Sequence, residues 1–340
     1  MKVAIDKNID ISKLPKHEYI YVFDKEPLKE LLKKPIRCVN AKYLDFVDIN
    51  LTDYNIECIK KAKVTDDKWD VIEKKDYKIG IIIPNYNYEH TIDKCLNSIA
   101  NQTYKNYEVI FVDDMSTDNS LDIAYKWHEK LFPEISLKVI ELPQKRYNGG
   151  ARNEGYLHLS SDVDYVWYVD SDDWIEKDAL EKINQKLQGE PDVLFVGLSK
   201  YANGDTKQVV TPDYKDKYEE IQGWSGSCGK VIKKSIATRQ ECLYNEGTLK
   251  EDRNQHCRIC IYMNTFKNLK DAIYVWNSEN TKSVTTIRDI NWETSTIRHY
   301  ADTLELYLKE KGKDPKIDEY LSKRVEKTKN EIGKGSNKQW

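Results

Sequence analysis

The chemistry in this sequence is concentrated in carboxylates. Residues 165–169 (YVWYV) are apolar or aromatic and end abruptly in Asp170, Ser171, Asp172 and Asp173. The run predicts a buried strand. Acids at the end of such a strand stand at the rim of a sheet, and open α/β sheets bind ligands outside the carboxyl ends of their strands. Three like charges within four residues repel one another. A divalent cation such as Mn2+ or Mg2+, which takes carboxylate and water oxygens, relieves that repulsion. The competing account is a solvated acidic turn whose Asp residues cap the next helix. A second acid pair, Glu251-Asp252, opens the helix-like stretch RNQHCRICIYM. Acids in a first turn also complement the helix dipole. In residues 148–153 (NGGARN) a loop opens a helix. Its glycines permit close backbone approach, the helix N-terminus favours an anion, and Arg152 carries a fork of donors.

These residues need a scaffold that gathers strand ends. Residues 78–83 (KIGIII) form a short continuous apolar run that stops at Pro84, as a central parallel strand does. A helix over about 89–101 follows, with Ile92, Cys95, Leu96 and Ile99 on one face. A second strand, 107–112, ends in Asp113 and Asp114, and a helix over about 121–131 leads to a third strand at 137–142. The NGGARN helix and the acid-terminated strand complete the series. Asp178 starts another amphipathic helix, 192–197 is another core strand, and 208–222 reads as an irregular polar loop. This alternation predicts an α/β fold with a mostly parallel sheet covered by helices on both faces. Polar strand ends, Asn85, Asp114 and Asp170, converge on one edge of it.

Residues 1–76 read as a small α/β appendage and charged connector, with strands near 18–23 and 36–39, a helix near 27–34, and no residue suggesting chemistry. The main domain spans 77–290. Residues 291–340 form a helical extension, in which Ile297, Tyr300, Ala301, Leu304 and Leu308 make one apolar face; it serves as a cap or a homo-oligomer contact. Net charge is only −3 with balanced signs, so nothing demands nucleic acid or an anionic membrane. No apolar run approaches the roughly 18 residues that cross a bilayer. The N-terminus lacks a signal-peptide core, and seven scattered cysteines suit a reducing compartment, so the expected location is cytoplasmic. Cys257-x-x-Cys260 lacks a second ligand pair and reads as buried thiols rather than zinc ligands.

The ordered series IIIPNYNYEHTIDKCLNSIANQTYKNYEVIFVDDMSTDNS, NGGARNEGY and VWYVDSDD closely resembles family 2 glycosyltransferases of the GT-A fold, which is Rossmann-like. The likeness is close over about 78–178 and looser to about 288. It implies a nucleotide-sugar site, with Pro84 and Tyr86 at the base pocket. Asp114 would accept from uracil or ribose, or else cap the helix after Ser116, while Asp113 orients the turn. Asn148 and Arg152 would meet the donor, and Lys145 and Arg146 add cationic character. By the same resemblance Asp170 contacts the ribose and the metal, Ser171 stands beside it, and Asp172 ligates Mn2+ or Mg2+ on the diphosphate. Asp173 and Trp174 face the sugar or close the turn, and Trp224 stacks on an acceptor sugar or packs internally. Asp252 matches the family's base, with Glu251 the next candidate, and His256 is a packing or surface residue. Asn277, Asn280, Lys282 and Ser283 fall in the loop that folds over the diphosphate.

The expected function is therefore transfer of a sugar from a UDP-sugar to an acceptor hydroxyl with inversion, by metal-assisted single displacement. The acceptor is a glycan, a polymer, a lipid-linked group, a protein or, as a variant, a modified nucleobase in DNA. Neither a Q-x-x-R-W signature nor membrane helices accompany the motifs, which points to single transfer rather than polymer extrusion. A nucleotidyltransferase would need a Gly-rich loop where PNYNYEH stands. A noncatalytic sugar- or nucleotide-sugar-binding module would need neither Asp172 nor Asp252.

Overall fold

A computed structural model describes residues 3–4, 20–21, 64–65, 68–69, 75–131, 133–217, 226–280 and 290–335. The chain divides into two compact units, Met1–Asp76 and Tyr77–Trp340. In the first, β1 (Val3–Ala4) pairs in parallel with β2 (Ile20–Tyr21), and β3 (Val64–Thr65) pairs antiparallel with β4 (Lys68–Trp69). The helix near 27–34 and the strand near 36–39 expected from sequence lie outside the described residues.

The second unit follows the expected alternation: β5 (Ile79–Asn85), α1 (Ile92–Ala100), β6 (Tyr107–Asp113), α2 (Ser120–Leu131), β7 (Ser136–Glu141), α3 (Tyr147–Leu157) and β8 (Tyr165–Tyr168). Every residue of β5, β6 and β8 is buried, which is why these strands read as unbroken apolar runs. They lie in the order β7-β6-β5-β8, all parallel. The direction of winding therefore reverses between β5 and β8, and a doubly wound sheet opens its ligand crevice at that point.

Beyond β8 the sheet becomes mixed. It continues through β9 (Trp174–Ile175), α4 (Ala179–Leu187), β10 (Val193–Ala202), β11 (Asp205–Val210), β12 (Lys230–Lys233), α5 (Lys234–Ala237), α6 (Glu251–Tyr262) and β13 (Phe266–Asn277). β12 pairs antiparallel with both β8 and β10, β10 runs parallel to β13, and β13 pairs antiparallel with β9. Part of the segment expected to be an irregular loop is β11, which pairs with β10. Its lysine and glutamine side chains are exposed and left no apolar alternation to read.

Alternate residues along the strands supply two cores. Ile79, Ile81, Phe111 and Trp167 meet α1, α2 and α4 on one face. Ile82, Ile110, Val166 and Tyr168 meet α3, α6 and the C-terminal helices α7 (Ile290–Glu310) and α8 (Pro315–Gly335) on the other. The apolar stripe of α7, expected to serve as a cap or an oligomer contact, leaves Ile297 55% and Leu308 63% exposed. The helix buries Leu306 together with Ser295, Thr296, His299, Thr303 and Glu310. Hydrogen bonds decide that choice, with Thr303 Oγ1 2.9 Å from Asn254 Oδ1 and Asp302 accepting from Asn245 and Asn254.

Gly197 sits at a register shift between β10 and β13, where an added Cβ would lie 2.4 Å from the Asp271 carbonyl oxygen. Backbone cannot yield there as a side chain can. Gly197→Ala should cost about 1–3 kcal/mol, the usual penalty of overpacking, read as a lower urea midpoint at unchanged slope.

Candidate active site

The crevice between β5 and β8 encloses about 160 Å3. Pro84 and Tyr88, Asp170 to Asp173, and Asn148 and Arg152 of α3 line it. So do Leu249, Glu251 and Asp252 around the start of α6, residues 226–228 and Trp276.

The three carboxylates of the acid turn each have a different partner. Arg152 Nη2 donates to Asp170 Oδ1 at 2.6 Å. Asn280 Nδ2 donates to Asp172 Oδ2 at 2.8 Å. Asp173 accepts from the Tyr274 hydroxyl and from the Asn277 backbone N–H at 2.7 Å. Burial raises the Asp172 carboxyl to about 6, and Asp170 pushes it the same way. Burial likewise lifts Asp173 well above the usual carboxylate range, with Asp172 and Asp170 adding to the effect.

Arg152 joins the two acid constellations. Its guanidinium is buried, donates through Nη1 to Glu251 Oε1 at 2.6 Å, and has the Tyr244 and Tyr168 rings 5.3 and 6.0 Å away. Burial pushes the Glu251 carboxyl up, to about 7, against the pull of Arg152, and Asp252 adds to the rise. Asp252 itself is only partly buried, and among the described residues it has no hydrogen-bond or ion-pair partner.

Of the residues expected at the base pocket, Pro84 lines the crevice, whereas Tyr86 and Asp114 are not among its lining residues. Tyr86 is 40% exposed and lies outside the crevice wall, with the Lys145 ammonium over its ring. Asp114 caps α3 rather than the helix after Ser116: its carboxylate accepts from the backbone N–H groups of Arg146 at 2.7 Å and Tyr147 at 2.8 Å. Asp113 holds the turn by accepting from the Ser116 N–H at 2.8 Å. Arg146 is committed to Glu246 and Glu154, both at 2.6 Å.

The glycines of NGGARN admit the chain's own backbone. A Cβ on Gly149 would lie 2.4 Å from the Asn245 carbonyl oxygen. Asn153 exchanges two hydrogen bonds with the Tyr244 backbone, both 2.9 Å. This motif therefore clamps the segment that leads into α6 and its acids. His256 is buried, with Nε2 3.4 Å from Cys260 Sγ. Trp174 lies under the Lys94 ammonium. Trp224, Lys282 and Ser283 lie outside the described residues. Tyr88, Leu249 and Trp276 belong to the wall but carried no spacing that singled them out; Tyr88 at least stands inside the PNYNYEH loop.

The residues present suit a hard divalent cation. Asp170 and Asp172 line the crevice with carboxylates only partly engaged, and the Ser171 hydroxyl beside them is buried without a hydrogen-bond partner among the described residues. Among the described residues no three His, Cys, Asp or Glu side chains form a ready metal cluster. Mg2+ and Mn2+ sites with one or two carboxylates are completed by substrate phosphate oxygens and water.

Residues 80–245 match the family model for glycosyl transferase family 2. This domain belongs to that family. The chain is 42% identical over 113 residues to glycosyltransferase GlyA of Streptococcus pneumoniae, covering 33% of this chain and 15% of GlyA. It is 37% identical over 147 residues to poly(ribitol-phosphate) β-N-acetylglucosaminyltransferase TarS of Staphylococcus aureus, covering 42% of this chain and 24% of TarS. The chain thus matches less than a quarter of either relative's length. The crystal structure of TarS 1–349 in complex with UDP-GlcNAc superposes with a TM-score of 0.58 at 23% identity, over 67% of this chain and 66% of that one. A mannosyltransferase, PcManGT from Pyrobaculum calidifontis in complex with GDP-Man and Mn2+, superposes with a TM-score of 0.50 at 17% identity, over 73% and 68%. The GT-A fold is common to this glycosyltransferase domain and both structures.

Asp172 resists ionisation in the folded protein, so metal-free stability falls as pH rises toward about 6 and stays reduced above it. Asp172→Asn removes that penalty. Near pH 7.5 without divalent metal it should melt about 2–6 °C above wild type, the effect of about 1–2 kcal/mol in a domain of this size. A lower melting temperature in scanning calorimetry would contradict the electrostatic account.

Proposed function

We propose that the domain transfers a sugar from a UDP-sugar to an acceptor hydroxyl, with inversion at the anomeric carbon and with Mn2+ or Mg2+ bound at Asp170 and Asp172. The observation that carries this reading is Asp252, a carboxylate with no hydrogen-bond or ion-pair partner among the described residues, in the same crevice as the acid turn. Family membership supports glycosyl transfer, and neighbours crystallised with UDP-GlcNAc or with GDP-Man and Mn2+ support a nucleotide-sugar and a divalent cation.

When bound, the cation offsets charge growing on the departing diphosphate. The protein's own groups do the rest. Arg152 adds a fixed positive charge beside Asp170 and keeps Glu251 turned toward itself, so that Asp252 is the acid left available. Asp252 takes the proton from the acceptor hydroxyl as that oxygen bonds to the anomeric carbon. The bond from the anomeric carbon to the diphosphate oxygen breaks on the opposite face. Pro84, Tyr88, Leu249 and Trp276 give the crevice apolar surface that limits competing attack by water.

No helix among the described residues is long and apolar enough to cross a membrane. The five cysteines among them, Cys95, Cys228, Cys242, Cys257 and Cys260, are free and buried. Both facts fit a cytoplasmic enzyme acting on an acceptor presented in solution or at a surface. TarS is named for a poly(ribitol-phosphate) acceptor, which makes polyol-phosphate polymers the first acceptors to try.

Donor identity is tested by thermal shift with a panel of UDP- and GDP-sugars in Mn2+, since a bound ligand stabilises the fold by mass action. Release of nucleoside diphosphate upon adding acceptor separates an enzyme from a binding module. Asp252→Asn keeps the shape and removes the proton acceptor. It should lower kcat about 10²–10⁴-fold, the usual worth of a general base, while donor Kd stays within about twofold. A kcat close to wild type would transfer the role of base away from Asp252.

A further inference from the structure

Among the described residues, Tyr274 is the one buried hydroxyl that touches both ends of the acid turn. It lies on β13, which pairs with β9 immediately after the turn, with Tyr274 opposite Ile175. The ring is fully buried and packs edge-on against Trp167 of β8, with centroids 6.1 Å apart at 63°. The hydroxyl donates to the Asp173 carboxylate and accepts from the Asp170 N–H at 3.2 Å. The turn also closes on itself, with the Asp173 N–H 3.0 Å from the Asp170 carbonyl oxygen. On the same strand the Asn277 N–H holds the second oxygen of Asp173 at 2.7 Å.

We propose that Tyr274 is the positioning residue of the cation site: its hydroxyl, held between the Asp170 N–H and the Asp173 carboxylate, fixes the turn so that Asp170 and Asp172 present their oxygens at the spacing a divalent cation requires. This rests on the functional reading above. Asp173 is thereby an anchor and not a ligand, because both its oxygens are taken from the β13 side. The division of labour follows from coordination chemistry. Mg2+ demands near-ideal octahedral geometry at about 2.0–2.1 Å, so small displacements of either carboxylate weaken it. Two carboxylates on a short turn have no stiffness of their own. The phenol supplies it by tying the turn's first N–H and last side chain to a strand of the central sheet. A phenol suits the task because one O–H group donates and accepts at once.

The experiment is an electron paramagnetic resonance titration of Mn2+ into the full chain with and without UDP, on wild type and Tyr274→Phe, with UDP affinity in EDTA measured beside it. Phenylalanine keeps the packing on Trp167 and removes only the hydroxyl. The expected result is a Mn2+ Kd raised about tenfold or more, with metal-free UDP affinity unchanged. Activity lost at low Mn2+ should return at high Mn2+. A structural role alone would lower the melting temperature and leave the Mn2+ Kd of the folded fraction unchanged. A Kd within about twofold of wild type therefore overturns the proposal. If wild type binds neither Mn2+ nor UDP, the functional reading falls with it, whereas wild-type binding matched by Tyr274→Phe removes this inference alone. Should Tyr274→Phe not fold, Asp173→Asn is compared with Glu176→Gln, which removes an exposed charge close in sequence without touching the phenol. A rise in Kd confined to Asp173→Asn supports the proposal, and equal values overturn it.

Discussion

Three carboxylates at the end of one buried strand are the constraint on which the rest of the site depends. Left in a low-dielectric crevice they would repel one another and draw in protons. The fold answers with three chemically distinct partners: a guanidinium for Asp170, an amide for Asp172, and a phenol with a backbone N–H for Asp173. These partners come from α3, from the turn after β13, and from β13 itself. The acid turn therefore adds a second fastening between the doubly wound half of the sheet and its mixed extension, beside the pairing of β8 with β12. The neutralisation is incomplete at Asp172, whose carboxyl stays raised, and incomplete neutralisation is what gives a cation something to gain by binding.

Arg152 extends the same logic to the second acid pair. A buried guanidinium with one carboxylate would be an ion pair of doubtful net worth. Between Asp170 and Glu251 it becomes a strut across the crevice, spanning from the end of β8 to the first turn of α6. Glu251 is occupied by this contact and Asp252 is not. Two adjacent acids thus acquire different roles from their surroundings, one held in a structural pair and one left able to accept a proton.

The parallel half of the fold was legible because its strands are buried on both faces and its helices carry clear apolar stripes. The acid turn, the NGGARN loop and the Glu251-Asp252 pair were legible as chemistry because charge and glycine at strand and helix ends have few other uses. Two of their partners were not. Tyr274 and Asn280 lie more than a hundred residues from the acids they hold, and nothing local marks either as a partner. The glycines of NGGARN were read as permitting close backbone approach, and at Gly149 it is the backbone of Asn245 that approaches; close approach is encoded by glycine, but what approaches is not. The apolar stripe of α7 was legible, but the polar face that the helix buries was not. Periodicity locates an apolar face, and it does not reveal that hydrogen bonds will bury the opposite one.

That buried polar face of α7 bears on the position of Asp252. α6 is held from outside by Thr303 and Asp302 on Asn254, and Arg253 donates to Glu331 of α8 at 2.6 Å. Apolar packing tolerates small rotations of a helix about its axis, because dispersion contacts are nondirectional. Hydrogen bonds from Asn254 and Arg253, the residues directly after Asp252, do not. From inside, Arg152 pins Glu251, the residue directly before it. Asp252 is thus bracketed by directional contacts on both sides while its own carboxylate is left unengaged. A general base needs that combination, since it must be fixed within hydrogen-bond reach of a hydroxyl that arrives with the acceptor. Under the proposed function, the C-terminal helices would contribute to catalysis through the rotation they impose on α6.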